Sequence, residues 1–305
     1  MLKRYLIILN PTAGKGAATG KLPLIHDFLN TKGIEYEIVY TEKVGHAAEI
    51  AAEHARDDDT AIIAAGGDGT CNEVINGLMK GKAETIPTFG VLPLGRGNDF
   101  SYGGHVPAVL DEALEIMIAG KTSPLDVGVI TGGFYPEGRY FGNGIGAGFD
   151  TVVGLEAAKM KNVKDEFAYV FGTMKTLIKF SDSPEIEITY NGNTTSLRAI
   201  QISIMNGNRM GGLFYMAPEA VNNDGLLDLC MVAHKNRRQL IKTIIHYTKG
   251  TQKRLPGITI DRADSFTLKA LKGGMVVHAD GETICTEGKE LEIKCIPSPI
   301  KIIHT

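Results

Sequence analysis

The chain has 305 residues, 43% of them apolar, and a formal net charge of −3. That length holds two ordinary domains with real cores, the composition is too apolar for disorder, and the near-neutral charge argues against a general nucleic-acid binder. Cys71, Cys230, Cys285 and Cys295 stand far apart with no Cys-x-x-Cys pair, so neither a zinc site nor a disulfide framework is expected, and reduced thiols in a cytoplasm fit best.

In chain order, the apolar run after Met1-Leu2-Lys3-Arg4 is too short for a signal sequence or a spanning helix, so a membrane would be met from outside. Residues 5–9 read as a buried strand, as do 36–40, 61–65 and 88–92. Apolar spacing predicts helices over 21–32, 46–56, 73–80 and 109–119. Repeated strand-helix-strand units give a mainly parallel, helix-covered sheet, whose ligands bind at the strand carboxyl ends. Beyond a boundary near Pro124, Gly-rich turns separate strand-like runs at 185–190, 199–205, 227–233, 265–269 and 290–296, with helices over 167–180 and 237–249. The expected fold class is an α/β domain over 1–124 and a mostly β, sandwich-like domain over 125–305, whose last segment could return to pack on the first.

Asn10-Pro11-Thr12-Ala13-Gly14-Lys15-Gly16 follows the first strand, and a Gly-rich turn there can aim N–H groups at phosphate oxygens or serve as a plain turn. It is no Walker A loop, since Gly16 follows Lys15, and no G-x-G-x-x-G fingerprint replaces it. The loop Gly66-Gly67-Asp68-Gly69-Thr70 runs from the third strand into a helix near Asn72-Glu73. Its glycines let a polyphosphate approach the backbone, Thr70 and the helix terminus supply donors, and Asp68 reads as a metal-linked acid or a cap. Between 235 and 260 lie seven Lys or Arg and no acid, with Leu240, Ile241, Ile244 and Ile245 at helix spacing. Such a basic amphipathic helix sits on an anionic bilayer or packs on its own sheet; Lys159, Lys161, Lys164, Lys175 and Lys179 could extend the patch.

Gly-Gly-Asp-Gly-Thr followed by Asn-Glu, with Asn10-Pro11 before it and Pro93-Leu94-Gly95-Arg96-Gly97-Asn98-Asp99-Phe100 after it, resembles the diacylglycerol kinase catalytic-domain family. That family holds bacterial diacylglycerol and related lipid kinases, is related to sphingosine kinases, and is more distantly related to NAD kinases and phosphofructokinases. Asp126, Asn143, Asn206-Gly207 with Gly211-Gly212, Pro218 through Asp224-Gly225, and Asp280-Gly281-Glu282 continue the match in order.

The resemblance implies an NAD kinase-like and phosphofructokinase-like nucleotide domain, with ATP and Mg2+ bound between the domains. The nucleotide would meet Asn10, Pro11, Thr12, Ala13, Gly14, Thr41, Gly66, Gly67, Asp68, Gly69, Thr70, Asn72, Glu73, Arg96 and Asn98. Arg96 replaces the Thr or Ser usual in the family. Asp68, Asp99 and Asp126 would hold magnesium through water, and a second, structural metal would take Asp224 with the carbonyls of Val221 and Leu226. The family places the catalytic base in the Asp280-Gly281-Glu282 motif. As residues i and i+2 of an extended segment the two acids would face one way, one as base and one as its orienter, Glu282 being favoured as base. Alanine at either is expected to cut turnover by orders of magnitude with folding unchanged. The implied partner is a lipid at a membrane surface, with no nucleic acid; a homodimer stays open. The alternatives are a kinase of a soluble acceptor, as in NAD kinases, and a non-catalytic nucleotide-binding regulator.

Overall fold

The computed structural model describes residues 4–55, 59–81, 85–149, 151–152 and 183–305. The helix expected over 167–180 and Lys159, Lys161, Lys164, Lys175 and Lys179 lie outside the described residues.

The first domain alternates β1 (Arg4–Leu9), α1 (Leu22–Thr31), β2 (Tyr36–Tyr40), α2 (His46–His54), β3 (Thr60–Gly66), α3 (Asp68–Lys80), β4 (Phe89–Pro93), α4 (Asp99–Gly103) and α5 (Leu110–Ala119). The four strands pair in parallel in the order β2-β1-β3-β4. A parallel strand covered on both faces has no wet side, and every residue of β3 and β4 is buried accordingly. Ile25 and Leu29 of α1 and Leu114 and Met117 of α5 cover one face; Ile50 of α2 and Val74, Ile75 and Leu78 of α3 cover the other. The third helix starts at Asp68, a turn ahead of the expected 73–80, directly behind an extended Gly67.

The second part carries β5 (Thr122–Gly132), β6 (Tyr135–Phe141), β7 (Gly144–Gly148), β8 (Glu185–Tyr190), β9 (Asn193–Met205), β10 (Leu227–Ala233), α6 (Arg237–Tyr247), β11 (Ile258–Ala263), β12 (Ser265–Lys272), β13 (Met275–Ala279), β14 (Glu282–Gly288) and β15 (Glu290–Ile303). Their inward side chains, among them Phe141, Ile202, Leu229, Phe266 and Ile293, form one buried core. The strand expected at 199–205 extends back to Asn193. Its first half is exposed and polar, so period-2 burial marks only the second half.

The strand β15 is twice as long as the 290–296 run, because it belongs to both domains. Residues 290–294 pair with β12, most of the strand pairs antiparallel with β5, and Ile302 pairs in parallel with Phe89 of β4. The register breaks between Ile296 and Ile300, around Pro297 and Pro299, where proline cannot donate to the ladder. Leu291 and Ile293 therefore enter the β core while Ile300 and Ile302 enter the first domain's core. This strand pairs with sheet strands of both parts whose loops build the site.

Candidate active site

Four loops leave the carboxyl edge of the parallel sheet. In the first, Asn10 Oδ1 accepts from the Thr12 N–H (3.0 Å) and hydroxyl (2.8 Å), and Asn10 Nδ2 donates to Thr70 Oγ1 (3.2 Å). Pro11 and Ala13 carry the chain into a turn in which Gly14, Lys15 and Gly16 all have positive φ (60°, 61° and 88°). Thr41, at the end of β2, donates its N–H to Leu9 O (2.9 Å), next to Asn10.

The loops after β3 and β4 touch backbone to backbone. Leu94 N–H and Gly95 N–H both donate to Gly66 O (2.8 and 3.1 Å). A Cβ on Gly67 would lie 3.2 Å from Gly95 Cα, and one on Gly95 would overlap Gly67 Cα. One on Gly14 would lie 2.9 Å from Leu94 O, which ties in the first loop. The start of α3 sits among these loops, and its first N–H groups have no acceptor within the helix, the arrangement that receives anions. Gly69 in that first turn is exposed with open space beside it.

Acids crowd the same place. Asp68 Oδ1 accepts from Phe100 N–H (2.9 Å), and a Cβ on Gly97 would stand 2.9 Å from Asp68 Oδ2 and 3.6 Å from Asp99 Oδ2. Burial, and then the neighbouring Asp99 charge, push the Asp68 carboxyl up to about 6. Burial also raises Asp99, against the opposing pull of the Gly212 N–H (2.9 and 3.0 Å) and the Arg209 Nε (2.9 Å). Asn98 has φ 50° and donates to Gly95 O (3.2 Å), while its buried Oδ1 has no partner. Arg96 is exposed.

Asp280 enters this cluster from the other domain. Asp280 and Gly281 have φ 47° and 87° and lie between the paired Ala279 and Glu282, so they form the two-residue primed turn of the β13–β14 hairpin. This corrects the expected extended segment: an Asp-Gly pair between strands turns the chain, so strand alternation does not align the two acids. The Asp280 carboxylate accepts from the N–H groups of Gly142 (2.7 Å), Asn143 (3.1 Å) and Gly144 (2.8 Å) and from Asn72 Nδ2 (3.0 Å). Burial nonetheless raises it. Glu282 opens β14, is half-buried, and among the described residues its carboxylate has no hydrogen bond or ion pair.

Several residues expected at the nucleotide or metal do other work. Asn72 is fully buried; it donates to Asp280 and Tyr140 O (3.0 Å each) and accepts from Arg139 (2.6 Å), so it orients Asp280 from inside the protein. Glu73 accepts from Gly45 N–H (2.8 Å) and Ala47 N–H (3.1 Å), capping α2 with both oxygens. Asp126, expected with Asp68 and Asp99, accepts instead from Gly225 N–H (2.6 Å), Ser298 N–H (2.6 Å) and Ser298 Oγ (3.2 Å), which fixes the Asp224-Gly225 turn to β15. Asp224 in turn accepts from Leu226 N–H (3.1 Å) and pairs with Arg262 (3.3 Å). The carboxylate expected to hold a metal with the carbonyls of Val221 and Leu226 thus has a guanidinium beside it.

Two arginines escaped the sequence reading. Arg209 binds Asp99 and Gly97 O and stacks 4.0 Å over Tyr102; its position between Asn206-Gly207 and Gly211-Gly212 was the available signal. Arg139, on β6, reaches Asp280 only through Asn72 and left no sequence signal. Among the described residues no three His, Cys, Asp or Glu side chains converge into a metal cage. Asp68, Asp99 and Asp280, opposed by Arg209, instead leave a surplus of negative charge that suits a cation keeping its own waters, as magnesium does.

Glycine loops packed at the carboxyl edge of a parallel sheet, a helix N-terminus among them and clustered carboxylates reached by a hairpin from a β domain define a two-domain α/β and β-sandwich-like protein. The diacylglycerol kinase catalytic domain profile matches residues 4–130, and the YegS C-terminal NAD kinase beta sandwich-like domain profile matches residues 143–304. A diacylglycerol kinase of Staphylococcus aureus (strain bovine RF122 / ET3-1) is 31% identical over 283 residues, 92% of this chain and 87% of that protein. A crystal structure of a presumed diacylglycerol kinase from Bacillus anthracis str. Sterne superimposes with a TM-score of 0.78 at 26% identity, covering 99% of this chain and 97% of that one. An NAD kinase from Archaeoglobus fulgidus, solved with ATP, shares the fold at a TM-score of 0.51 and 12% identity, over 98% of this chain and 93% of that one. The chain belongs to the diacylglycerol kinase family, a family of lipid kinases.

Proposed function

We propose that this protein is an ATP-dependent lipid kinase that moves the γ-phosphate of ATP to a hydroxyl of diacylglycerol or a related lipid. The observation that carries the reading is Glu282, a carboxylate without a partner among the described residues, on the hairpin whose turn residue Asp280 is bound into the glycine-loop cluster. In this reading Gly14, Gly67, Gly69 and Thr70 cradle the phosphates with backbone N–H and hydroxyl donors, while Asn10 ties Thr12 to Thr70 and holds the loop in shape. Asp68 and Asp99 would hold magnesium through its waters, and the ion would supply positive charge beside the transferring group. Glu282 takes the proton from the lipid hydroxyl as its oxygen bonds to the γ-phosphorus, and the bond to the β-phosphate oxygen breaks with its electron pair leaving on ADP. Asp280, with four donors on it, fixes the hairpin and is not the base.

Approach to a lipid surface is supported by α6. Leu240, Thr243 and Tyr247 are buried, whereas Ile241 and Ile245, about half exposed (49% and 50%), share the outer face with exposed Arg237, Arg238 and Lys242. A basic face with two apolar residues suits peripheral contact with an anionic bilayer from the cytoplasm, which fades with salt. Among the described residues no helix is long and apolar enough to cross a membrane.

Labelled ATP incubated with the protein and a panel of lipids, the products resolved by chromatography and Asp68→Asn as the blank, tests the reading. A labelled lipid that the blank does not form is expected. Label in NAD, or in no acceptor, would overturn it.

A further inference from the structure

A cavity of about 270 Å³ opens in the β domain between the Ala217-Pro218-Glu219 turn, β10, β11 and the Gly250–Lys253 segment. It lies among residues with no part in the proposed phosphoryl transfer. One water needs roughly 10–15 Å³ on the same measure, so there is room for a small molecule.

The lining is one-sided in its hydrogen bonding. Leu227 and Leu229 of β10 turn into the sandwich core, which puts Asp228 on the opposite face of the strand with Cys230. Asp228 is only 4% exposed, lines the cavity, and has no hydrogen bond or ion pair among the described residues. Arg262 stands opposite it in the β10–β11 register, but that guanidinium pairs with Asp224 (3.3 Å). Lys253, at the rim, is taken by Glu219. Gln252, 1% exposed, gives both donors of its amide to Tyr215 O (2.7 Å) and Met216 O (2.9 Å), and its Oε1 is left buried without a partner.

Asp228 is therefore a buried carboxylate without a hydrogen bond among the described residues, in a cavity whose two cations, Arg262 and Lys253, are paired with other acids, although the Arg262 charge still reaches it. A buried carboxylate left without a hydrogen bond is costly, and a charged donor is the partner that relieves it. Ala217, Pro218 and Ile260 add apolar wall, which suits a short methylene segment behind the charge. The cluster offers no three-ligand cage for a metal among the described residues.

We propose that this cavity binds a small primary ammonium compound, its N–H groups donating to the Asp228 carboxylate. The chemistry is that of ethanolamine, free or as a lipid headgroup.

Calorimetric titration of the whole protein with ethanolamine tests the site, alongside sedimentation with phosphatidylethanolamine and phosphatidylcholine vesicles. Saturable ethanolamine binding is expected, with no competition from tetramethylammonium, which has the charge but no N–H. Asp228→Asn should weaken it about tenfold or more, the loss expected for a charge-assisted hydrogen bond. Lys253→Ala, at an exposed residue, should tighten it by releasing Glu219. Binding only to phosphatidylethanolamine vesicles, lost in Asp228→Asn, would identify the headgroup as the source. No binding in either arm, equal binding by Asp228→Asn, or displacement by equimolar magnesium would each overturn the proposal.

Discussion

Two carboxylate clusters in this molecule are built on opposite rules. At the Asp224-Gly225 turn the two acids that build it are filled: Asp126 takes three donors, and Asp224 takes Leu226 N–H and Arg262. Around the glycine loops Asp68 is crowded by Asp99 and Asp280 and raised to about 6, while Glu282 has no partner among the described residues. Filled carboxylates act as struts, whereas carboxylates crowded together and short of donors store charge for a ligand.

Asp280 tests this contrast hardest, since it sits in the second cluster and is filled like the first. Asp280→Ala strands three backbone N–H groups and Asn72, so it should cost roughly 3–5 kcal/mol of stability as well as activity, by analogy with other broken buried charges. This replaces the expectation of unchanged folding. Glu282→Ala should lower kcat by about 10²- to 10⁴-fold, the range for a lost general base, with the urea midpoint unmoved. Equal midpoints for the two variants would erase the distinction. Next in size, Asp126→Ala should destabilise by about 3 kcal/mol by unpinning the turn from β15, while nucleotide affinity per folded molecule stays normal. A selective loss of nucleotide affinity would return Asp126 to the magnesium network.

The contrast also marks what the sequence could reveal. The parallel sheet was legible because strands such as β3 are unbroken apolar runs between helical periods, and the loop glycines stand at the strand ends. The strand Gly144–Gly148 was not, since its three glycines read as turn, and the first half of β9 carries no burial period. Within the candidate site, residue types and order named loops that the structure brings together but not the partner of each side chain. Asn72 and Glu73 follow the phosphate loop in sequence, yet 100° of helix rotation per residue aims one at Asp280 and the other at α2. Which acids are filled depends on Ser298, Gly225 and Arg209, contacts between distant segments that no local pattern encodes.

A pH series sharpens the contrast at smaller amplitude. Asp68 and Asp228 are each raised to about 6, by burial first. An acid whose folded pKa lies above its unfolded value keeps its proton longer in the folded state, so stability falls as pH climbs from about 4 to about 6 and levels above that. Each acid contributes at most about 3 kcal/mol, less where solvent screens it. Asp228→Asn should therefore unfold at higher urea than the wild type at pH 7.5, and the difference should shrink towards pH 4. A constant difference would mean that Asp228 is not the titrating group.

The smallest expected change in stability separates fold from function most cleanly, and it concerns Gly69. An added Cβ there meets nothing within 4 Å, and the residue lies in the first turn of α3, so alanine should leave the fold intact or gain about 0.5–1 kcal/mol of helix propensity. The open space beside Gly69 adjoins helix N–H groups that have no internal acceptor, where a phosphate would lie. Gly69→Ala should then weaken ATP binding about tenfold, by calorimetry, while the melting temperature holds or rises. Gly95→Ala provides the opposite control, because its Cβ would overlap Gly67 Cα and force the two loops apart, lowering stability and affinity together. If Gly69→Ala bound ATP as the wild type does, the phosphates would lie away from the α3 terminus, and the crowded carboxylates would need another ligand to explain them.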